Sequence, residues 1–219
     1  MNTVTKVAII GLGNIGKAVA TNLTKGNHPV IIASRELSKA QEFSLQLSDL
    51  ALAKEITEAI KQADVIIPTI YYDKIKEFLK TYATELQGKI IIDVSNPIAP
   101  DDNGGFKKII DQNQSAGKIL SELIPSNAIL VKAFGTLGAA TLVNAAFSTP
   151  ERKVLFYASD NTNINNIIEE LLTASGFAPF HIGGIDQSIR IEVFGDLHEF
   201  GALGKTVTLE EAKDLVTIS

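Results

Sequence analysis

The chain has 219 residues, a formal net charge of −5 and no cysteine. The lack of cysteine excludes thiol nucleophiles, disulfide bonds and thiolate metal sites. The acidic balance gives no bulk attraction to nucleic acid or to an anionic membrane surface, so neither is an expected partner. No apolar run is long enough for a signal peptide or a membrane span, which predicts a cytoplasmic protein.

Short apolar runs rich in β-branched residues alternate with amphipathic runs along the sequence. The apolar runs predict strands buried on both faces, as in a parallel sheet, at Val7–Ile10, Val30–Ala33, Val65–Ile67, Ile90–Val94, Ile129–Phe134, Val154–Tyr157 and Ala178–His181. The amphipathic runs predict helices at Asn14–Lys25, Ser38–Leu50, Tyr72–Ala83 and Asn163–Ala174, with a final helix that starts at Asp186 and stops at Gly204. This alternation predicts an α/β fold: a doubly wound, mostly parallel Rossmann sheet with helices on both faces, extended at its C-terminal end.

The first predicted strand is followed by Gly11-Leu12-Gly13-Asn14-Ile15-Gly16, which matches the pattern G-x-G-x-x-G. In this pattern the first glycine makes a tight turn, the second lets the backbone approach a pyrophosphate, and the third lets strand and helix pack closely. Backbone N–H groups at the start of the following helix then hold the phosphates. The strand before the motif and the amphipathic helix after it predict a dinucleotide-binding loop formed by all six residues.

The end of the second predicted strand indicates which dinucleotide binds. A site for NAD carries an acidic residue here, which hydrogen-bonds the ribose 2′-hydroxyl. This chain has Ser34 and Arg35 instead, a hydroxyl donor and a guanidinium that can pair with a 2′-phosphate. Lys39, near the start of the next helix, adds a second positive charge. These residues predict NADP as the cofactor.

Three later segments add to this pattern: Asp93-Val94-Ser95-Asn96-Pro97, Ser121-Glu122-Leu123, and Lys132-Ala133-Phe134 followed by Thr136-Leu137. Together with the glycine loop and Ser34-Arg35, they resemble the NADP oxidoreductases related to coenzyme F420-dependent NADP reductases, a family that also includes the reductase domain of the STEAP metalloreductases. The resemblance implies a Rossmann sheet whose C-terminal part closes over the nicotinamide. It also implies two groups of site residues, one flanking the cofactor (Thr69, Ile70, Ser95, Asn96 and Pro97) and one near the nicotinamide ring (Ala133, Phe134 and Thr136).

No side chain stands out as a catalytic acid or base, so the catalytic residues are left unassigned. The three histidines, His28, His181 and His198, have no identifiable orienting partner in the sequence, and no metal site is expected. Hydride transfer to a flavin-like or deazaflavin ring requires two stacked rings rather than a protein acid, because solvent supplies any proton. The sequence therefore favours hydride transfer between NADPH and a planar redox partner over alcohol oxidation.

Three functions are compatible with these residues. The first is an NADPH-dependent oxidoreductase whose acceptor is flavin-like, F420-like, a quinone or a ferric chelate. The second is an imine or ketone reductase of the pyrroline-5-carboxylate reductase type, and the third is a non-catalytic NADP redox sensor.

The organisation expected for any of these functions is a single domain over residues 1–219. Within it, residues 1–145 bind NADP, and residues 146–219 form a strand–helix extension that closes the acceptor pocket. The final predicted helix carries one strongly apolar side, formed by Ile189, Val193, Leu197, Phe200 and Leu203. Part of such a side is predicted to form a homodimer contact that borders the acceptor pocket; the alternative is that it simply covers the sheet.

Overall fold

A computed structural model describes residues 4–217 of the chain. Within them the β-strands are β1 (Val7–Ile10), β2 (Val30–Ala33), β3 (Ala51–Ala53), β4 (Val65–Pro68), β5 (Ile90–Asp93), β6 (Ile98–Pro100), β7 (Phe106–Lys108), β8 (Ile129–Lys132), β9 (Val154–Tyr157) and β10 (Ala178–His181). The α-helices are α1 (Asn14–Lys25), α2 (Leu37–Ser44), α3 (Ile56–Gln62), α4 (Tyr72–Thr81), α5 (Ala116–Ser121), α6 (Ala139–Asn144), α7 (Asn165–Ala174) and α8 (Leu209–Thr217). Two 3-10 helices cover Thr162–Ile164 and Ile185–Ile191. Among the described residues, no helix has the length and apolar character needed to cross a membrane.

Six of the strands form one parallel sheet in the order β3-β2-β1-β4-β5-β8. The chain builds this sheet outward from β1 to β3 and then returns to place β4 on the other side of β1. The strand order therefore reverses between β1 and β4, which in doubly wound folds is where a ligand binds. The predicted fold class is confirmed. The helix predicted at Ser38–Leu50 ends earlier, at Ser44, and the sequence reasoning missed the edge strand β3 that follows it.

Both faces of the central sheet are buried, which explains why its strands are continuous apolar runs. Neighbouring side chains of β1 point to opposite faces, so that Ile9 joins one core cluster and Ile10 joins the other. Leu23 of α1 and Leu171 of α7 pack in the first cluster, and Phe78 of α4 packs in the second. Helices on both faces therefore hold the strand ends, where the predicted site lies.

The strands β9 and β10 form a separate two-stranded parallel sheet. This sheet joins the central one through an antiparallel bridge, in which the backbones of Lys132 and Ala158 exchange two hydrogen bonds of 2.9 Å. The predicted extension at the C-terminal end takes this form, a small sheet attached at the last residue of β8. The strands β6 and β7 form a short antiparallel pair of their own.

The ends of α1 and α7 touch backbone to backbone at Gly26. A Cβ atom built on Gly26 would lie 1.8 Å from the carbonyl oxygen of Ala174, the last residue of α7, whereas real Cβ atoms essentially never come within 3.0 Å of another heavy atom. No larger residue fits at position 26 while the two helices keep this separation.

The predicted final helix from Asp186 to Gly204 is wrong. The chain forms the 3-10 helix over Ile185–Ile191 and then an irregular segment, and the last helix is α8. At Phe194 the backbone has a φ of +73°, which lies outside the α-helical range. The segment folds back on itself, since the N–H of Leu197 donates to the carbonyl oxygen of Arg190 at 2.8 Å. The apolar residues at helical spacing therefore belong to a compact loop.

Candidate nucleotide site

The predicted site residues follow strands whose carboxyl ends lie along one edge of the central sheet, because these strands are parallel. They are Gly11 to Gly16 after β1, Ser34, Arg35 and Lys39 after β2, Thr69 and Ile70 after β4, Ser95 to Pro97 after β5, and Ala133, Phe134 and Thr136 after β8. The fold thus brings all of them to the edge at which the strand order reverses.

The glycine loop is fixed by contacts that leave no room for larger residues. A Cβ on Gly16 would lie 2.2 Å from the carbonyl oxygen of Gly11, and one on Gly11 would lie 2.8 Å from that of Thr69. Thr69 closes the loop, because its hydroxyl donates to the carbonyl oxygen of Gly11 at 2.7 Å and its N–H donates to that of Ile10 at 2.8 Å. The first and third glycines therefore make the close approach that the motif requires.

The middle of the loop presents backbone and open space. A Cβ on Gly13 would meet no atom within 4 Å, and no side chain caps the start of α1. The side chains of Leu12 and Ile15 pack against the core instead of facing outward. An uncapped helix start with open space in front of it fits a pyrophosphate, because its N–H groups and the helix dipole both favour negative charge.

The residues after β2 differ in whether their side chains are already bonded to other groups of the protein. The ammonium of Lys39 pairs with the Glu36 carboxylate at 2.7 Å, and the hydroxyl of Ser34 donates to the Glu36 carbonyl oxygen at 2.6 Å. Arg35 is exposed and forms no ion pair within residues 4–217. Two of the three residues predicted to contact a 2′-phosphate are cations, and Arg35 is the one whose charge is not already paired.

A buried ion pair, Asp93 with Lys132, stands at the ends of β5 and β8. The two residues face each other in the strand register, their Oδ2–Nζ distance is 2.7 Å, and each side chain is 1% exposed. The other carboxylate oxygen accepts hydrogen bonds from the N–H and the hydroxyl of Ser95, at 2.9 and 2.7 Å. The ammonium also donates to the Ser95 carbonyl oxygen. The pair therefore holds the first residue of the loop 95–97 at three atoms.

The carbonyl oxygen of Gly135 is a second point of attachment. It accepts from the side-chain amide of Asn96 at 2.9 Å and from Nε2 of His198 at 2.8 Å. Because the N–H of Phe200 donates to Nδ1 of His198 at 2.9 Å, the imidazole carries its proton on Nε2. Burial lowers the pKa of His198 to about 4, so the ring is neutral near pH 7. The amide oxygen of Asn96 accepts from the N–H of Val193 at 2.7 Å, which ties in the C-terminal segment.

The irregular segment 192–200 lies along these strand ends. The N–H of Glu199 donates to the carbonyl oxygen of Thr136 at 3.2 Å, and the Glu199 carboxylate accepts from the N–H of Gly138. The ring of Phe200 borders Gly138, since a Cβ on that glycine would lie 3.1 Å from two ring carbons. The ring is nevertheless 61% exposed. The aromatic ring of Phe200 is thus exposed to solvent, while the hydrogen bonds of this segment fix its backbone.

Two predicted residues after β8 present different groups. The ring of Phe134 is 1% exposed and packs in the core with Leu137, so this residue borders the site through its backbone. The hydroxyl of Thr136 is buried without a hydrogen-bond partner among the described residues, a state that a polar ligand atom would relieve. The hydroxyl of Tyr72, at the start of α4, is in the same state, and burial together with the carboxylates of Glu192 and Asp93 raises its pKa.

The sequence reasoning missed the Asp93–Lys132 pair, the Gly135 carbonyl oxygen and the partners of His198. One signal was present, because each of two apolar strands, Ile90–Asp93 and Ile129–Lys132, ends in a charged residue. Charges of opposite sign at the ends of apolar strands indicate a buried pair when those strands are neighbours. Within residues 4–217, no group of three or more His, Asp or Glu side chains is arranged to hold a metal ion.

Comparison with known proteins points to one family. The family described as NADP oxidoreductase, coenzyme F420-dependent, matches residues 6–97. The F420-dependent NADP reductase of Methanocaldococcus jannaschii is 31% identical over 104 residues, which cover 43% of this chain and 46% of that protein. A crystal structure of a hypothetical protein from Sinorhizobium meliloti is 31% identical with a TM-score of 0.79, over 93% of this chain and 95% of that one. Over residues 6–97 the chain is similar to the F420-dependent NADP oxidoreductase family.

The F420-dependent NADP oxidoreductase match covers the glycine loop, Arg35 and the segment from Ser95 to Pro97, but not the strand ends after β8. The predicted resemblance is confirmed, and the family's own description names NADP and an oxidoreductase. A longer match links the chain to Metalloreductase STEAP3 of Rattus norvegicus, at 27% identity over 187 residues and 85% of this chain. The chain spans 36% of the length of that protein.

Proposed function

We propose that the protein transfers hydride between NADP(H) and a small planar acceptor of the flavin or deazaflavin type. When bound, NADP supplies or accepts the hydride at its nicotinamide ring, and the protein binds and orients the two rings. The observation that carries the proposal is the state of the buried titratable side chains at the strand ends.

Three of these side chains, Asp93, Lys132 and His198, are bonded inside the protein. The carboxylate and the ammonium neutralise each other, and both nitrogens of the neutral imidazole are hydrogen-bonded to backbone groups. None of the three is available to give a proton to a ligand. Tyr72 has a hydroxyl without a hydrogen-bond partner among the described residues, but burial and the nearby carboxylates raise its pKa and make it a weaker acid. Reduction of a C=O or C=N bond ordinarily uses a protein acid, whereas ring-to-ring hydride transfer does not need one. The arrangement therefore favours a planar acceptor.

The two ends of the site support complementary parts of this function. At the end of β2, Arg35 offers an unpaired cation to the 2′-phosphate, and the start of α1 offers N–H groups to the pyrophosphate. At the end of β8, the exposed Phe200 ring offers a flat apolar surface. The names of the relatives, F420-dependent NADP reductase and metalloreductase, agree with a redox acceptor rather than an alcohol or imine.

An acceptor screen tests the proposal. Purified protein is mixed with NADPH and, in separate reactions, with F420, FMN, a quinone, a ferric chelate or pyrroline-5-carboxylate, and the loss of NADPH absorbance is followed. The same reactions with NADH give the control for the cofactor. We expect turnover of F420 or FMN with NADPH.

Two results would replace the proposal by one of the alternatives. Turnover of pyrroline-5-carboxylate alone would make the protein an imine reductase. Tight binding of NADPH with no oxidation by any acceptor would favour a redox sensor.

The proposed organisation is one domain in which residues 146–219 close the acceptor pocket formed with residues 1–145. The homodimer contact was expected on a helix that does not form, and we propose instead that it is made by the exposed ring of Phe194 in the irregular segment. Light scattering measures the mass in solution, and a monomer at working concentration would contradict the dimer.

A further inference from the structure

The Asp93–Lys132 pair is an unusual feature for a small sheet protein, because burying two charges carries a large desolvation penalty. Replacing such a pair by apolar side chains of similar volume often leaves stability unchanged or raises it. A contribution to folding stability therefore does not by itself explain why this buried ion pair is present. Its position, at the carboxyl ends of two neighbouring strands, suggests a role at the site.

Within the described part of the chain, the hydrogen bonds that the two side chains make beyond their own contact all go to Ser95. The carboxylate accepts from its N–H and its hydroxyl, and the ammonium donates to its carbonyl oxygen. Three atoms of one loop residue are thus fixed by two side chains that are themselves immobile in the core. Bonds to ionised groups are roughly twice as strong as neutral ones, which makes this a stiff attachment.

The attachment extends to the loop after β8. The amide of Asn96, the residue next to Ser95, and the imidazole of His198 both donate to the carbonyl oxygen of Gly135. The two loops are also in direct contact, because a Cβ on Gly135 would lie 2.7 Å from the carbonyl oxygen of Val94. Fixing Ser95 therefore fixes residues 94–97 relative to 133–136.

We infer that Asp93 and Lys132 are positioning residues for the nicotinamide half of NADP. They act through Ser95 and Asn96, which they hold against the loop 133–136 so that both loops keep the arrangement that the ring requires. The adenosine half lies with the glycine loop and Arg35, after strands that this network does not reach. The inference rests on the proposed function and deepens it, because it assigns the two halves of the nucleotide to separate supports.

The test uses variants that separate positioning from folding. The double variant Asp93→Leu/Lys132→Met removes both charges together, so that no buried charge is left unpaired. The double variant Asp93→Asn/Lys132→Gln keeps groups that can hydrogen-bond Ser95 but carries no charge. Lys89→Met is the matched control, because Lys89 precedes β5 at the opposite edge and its ammonium donates to the carbonyl oxygen of Ala63.

Two nucleotides report on the two halves of the site. Calorimetry gives the Kd for NADPH and for adenosine 2′,5′-bisphosphate, which lacks the nicotinamide, and amide hydrogen exchange reports the order of residues 94–97 and 133–136. For the Leu/Met variant we expect a Kd for NADPH raised about tenfold and a Kd for the bisphosphate within about twofold of wild type. In the Leu/Met variant, hydrogen exchange in both loops should become faster. The Asn/Gln variant should recover most of the NADPH affinity, and the Lys89→Met control should match wild type.

Each other result overturns the inference. A folded Leu/Met variant with wild-type NADPH affinity and unchanged exchange would show that the pair has no positioning role. Equal weakening of both nucleotides would show a general loss of structure. If the Leu/Met variant does not fold, the Asn/Gln variant tests the inference instead. A folded Asn/Gln variant that binds NADPH as weakly as it binds the bisphosphate would contradict positioning through hydrogen bonds. Wild-type protein that binds neither nucleotide would refute the proposed function itself, whereas tight NADPH binding that no variant alters refutes the inference alone.

Discussion

Replacing Arg35 with alanine removes the cation that we expect to distinguish NADPH from NADH. Arg35 is exposed and forms no ion pair within residues 4–217, so pairing with a 2′-phosphate breaks no bond inside the protein. The affinity lost on substitution therefore measures the phosphate contact. Lys39 and Ser34 are already bonded to Glu36, at 2.7 and 2.6 Å, and each must exchange one bond for another.

The expected size of the effect comes from these bonds. A hydrogen bond between charged groups contributes about 1.5–3 kcal/mol, and about 1.4 kcal/mol corresponds to a factor of ten in Kd. Arg35→Ala should therefore raise the Kd for NADPH about ten- to hundredfold, and less at high salt because the contact is exposed. The Kd for NADH should change by less than about twofold, and Ser34→Ala should raise the Kd for NADPH by less than about fivefold.

The assay is a titration of each variant with NADPH and NADH at low and high salt, followed by the fluorescence of the reduced nicotinamide. Arg152→Ala is the control, because it removes an exposed arginine whose guanidinium donates to the carbonyl oxygen of Thr173, away from the end of β2. Equal weakening of NADPH and NADH by Arg35→Ala would refute the reasoning. So would an unchanged Kd for NADPH.

Phe200→Ala should raise the KM for a flavin-like acceptor about tenfold, because stacking on an aromatic ring is lost, while the Kd for NADPH stays within about threefold. Phe106→Ala, which removes a similarly exposed ring from β7, is the control, and equal steady-state kinetics of the two variants would contradict the stacking. Phe134→Ala should lower the free energy of unfolding by about 3–5 kcal/mol in urea denaturation, because its ring lies in the core, and a variant as stable as wild type would be the opposite result. The free energy of unfolding should also fall as the pH drops from 6.5 towards 4. The pKa of His198 is lowered from 6.5 to about 4 in the folded protein, so the unfolded state takes up the proton first. The loss is at most about 3.4 kcal/mol, and His198→Gln should remove most of it. An unchanged pH dependence in that variant would count against the neutral buried imidazole.

The strands of the central sheet were predictable because short stretches of sequence are enough to identify them. A run such as Ile90–Asp93 is apolar on both faces, and the glycine loop fits between a strand and a helix whatever the rest of the chain does. The strand β3 has three residues, Ala51–Ala53, at the edge of the sheet, and so short a run does not stand out from its surroundings. The prediction of the final helix was wrong because the helical spacing of its apolar residues does not reveal that Phe194 adopts a positive φ.

The positions of the candidate site residues in the fold were predictable, whereas the bonds between them were not. Residues at strand ends are found by locating the strands, and Arg35 and Ser95 do follow β2 and β5 as predicted. The bond between Asp93 and Lys132 depends on β5 and β8 being neighbours in register, which separates the partners by 39 residues along the chain. His198 depends on how the irregular segment folds back onto Gly135. Contacts of this kind come from the tertiary fold and leave no periodic pattern in the sequence.

The close approach of α1 and α7 limits how pieces of this fold can be exchanged between relatives. The start of α1 lies in the candidate nucleotide site, and the end of α1 contacts Ala174, where Gly26 has space for a hydrogen atom only. A chimera that receives residues 146–219 from another protein keeps this fit only if the new chain comes equally close at the end of its helix. A donor that carries a side chain at the position of Gly26 will have its helices further apart. Exchanging the C-terminal part to change the acceptor therefore requires exchanging residue 26 with it.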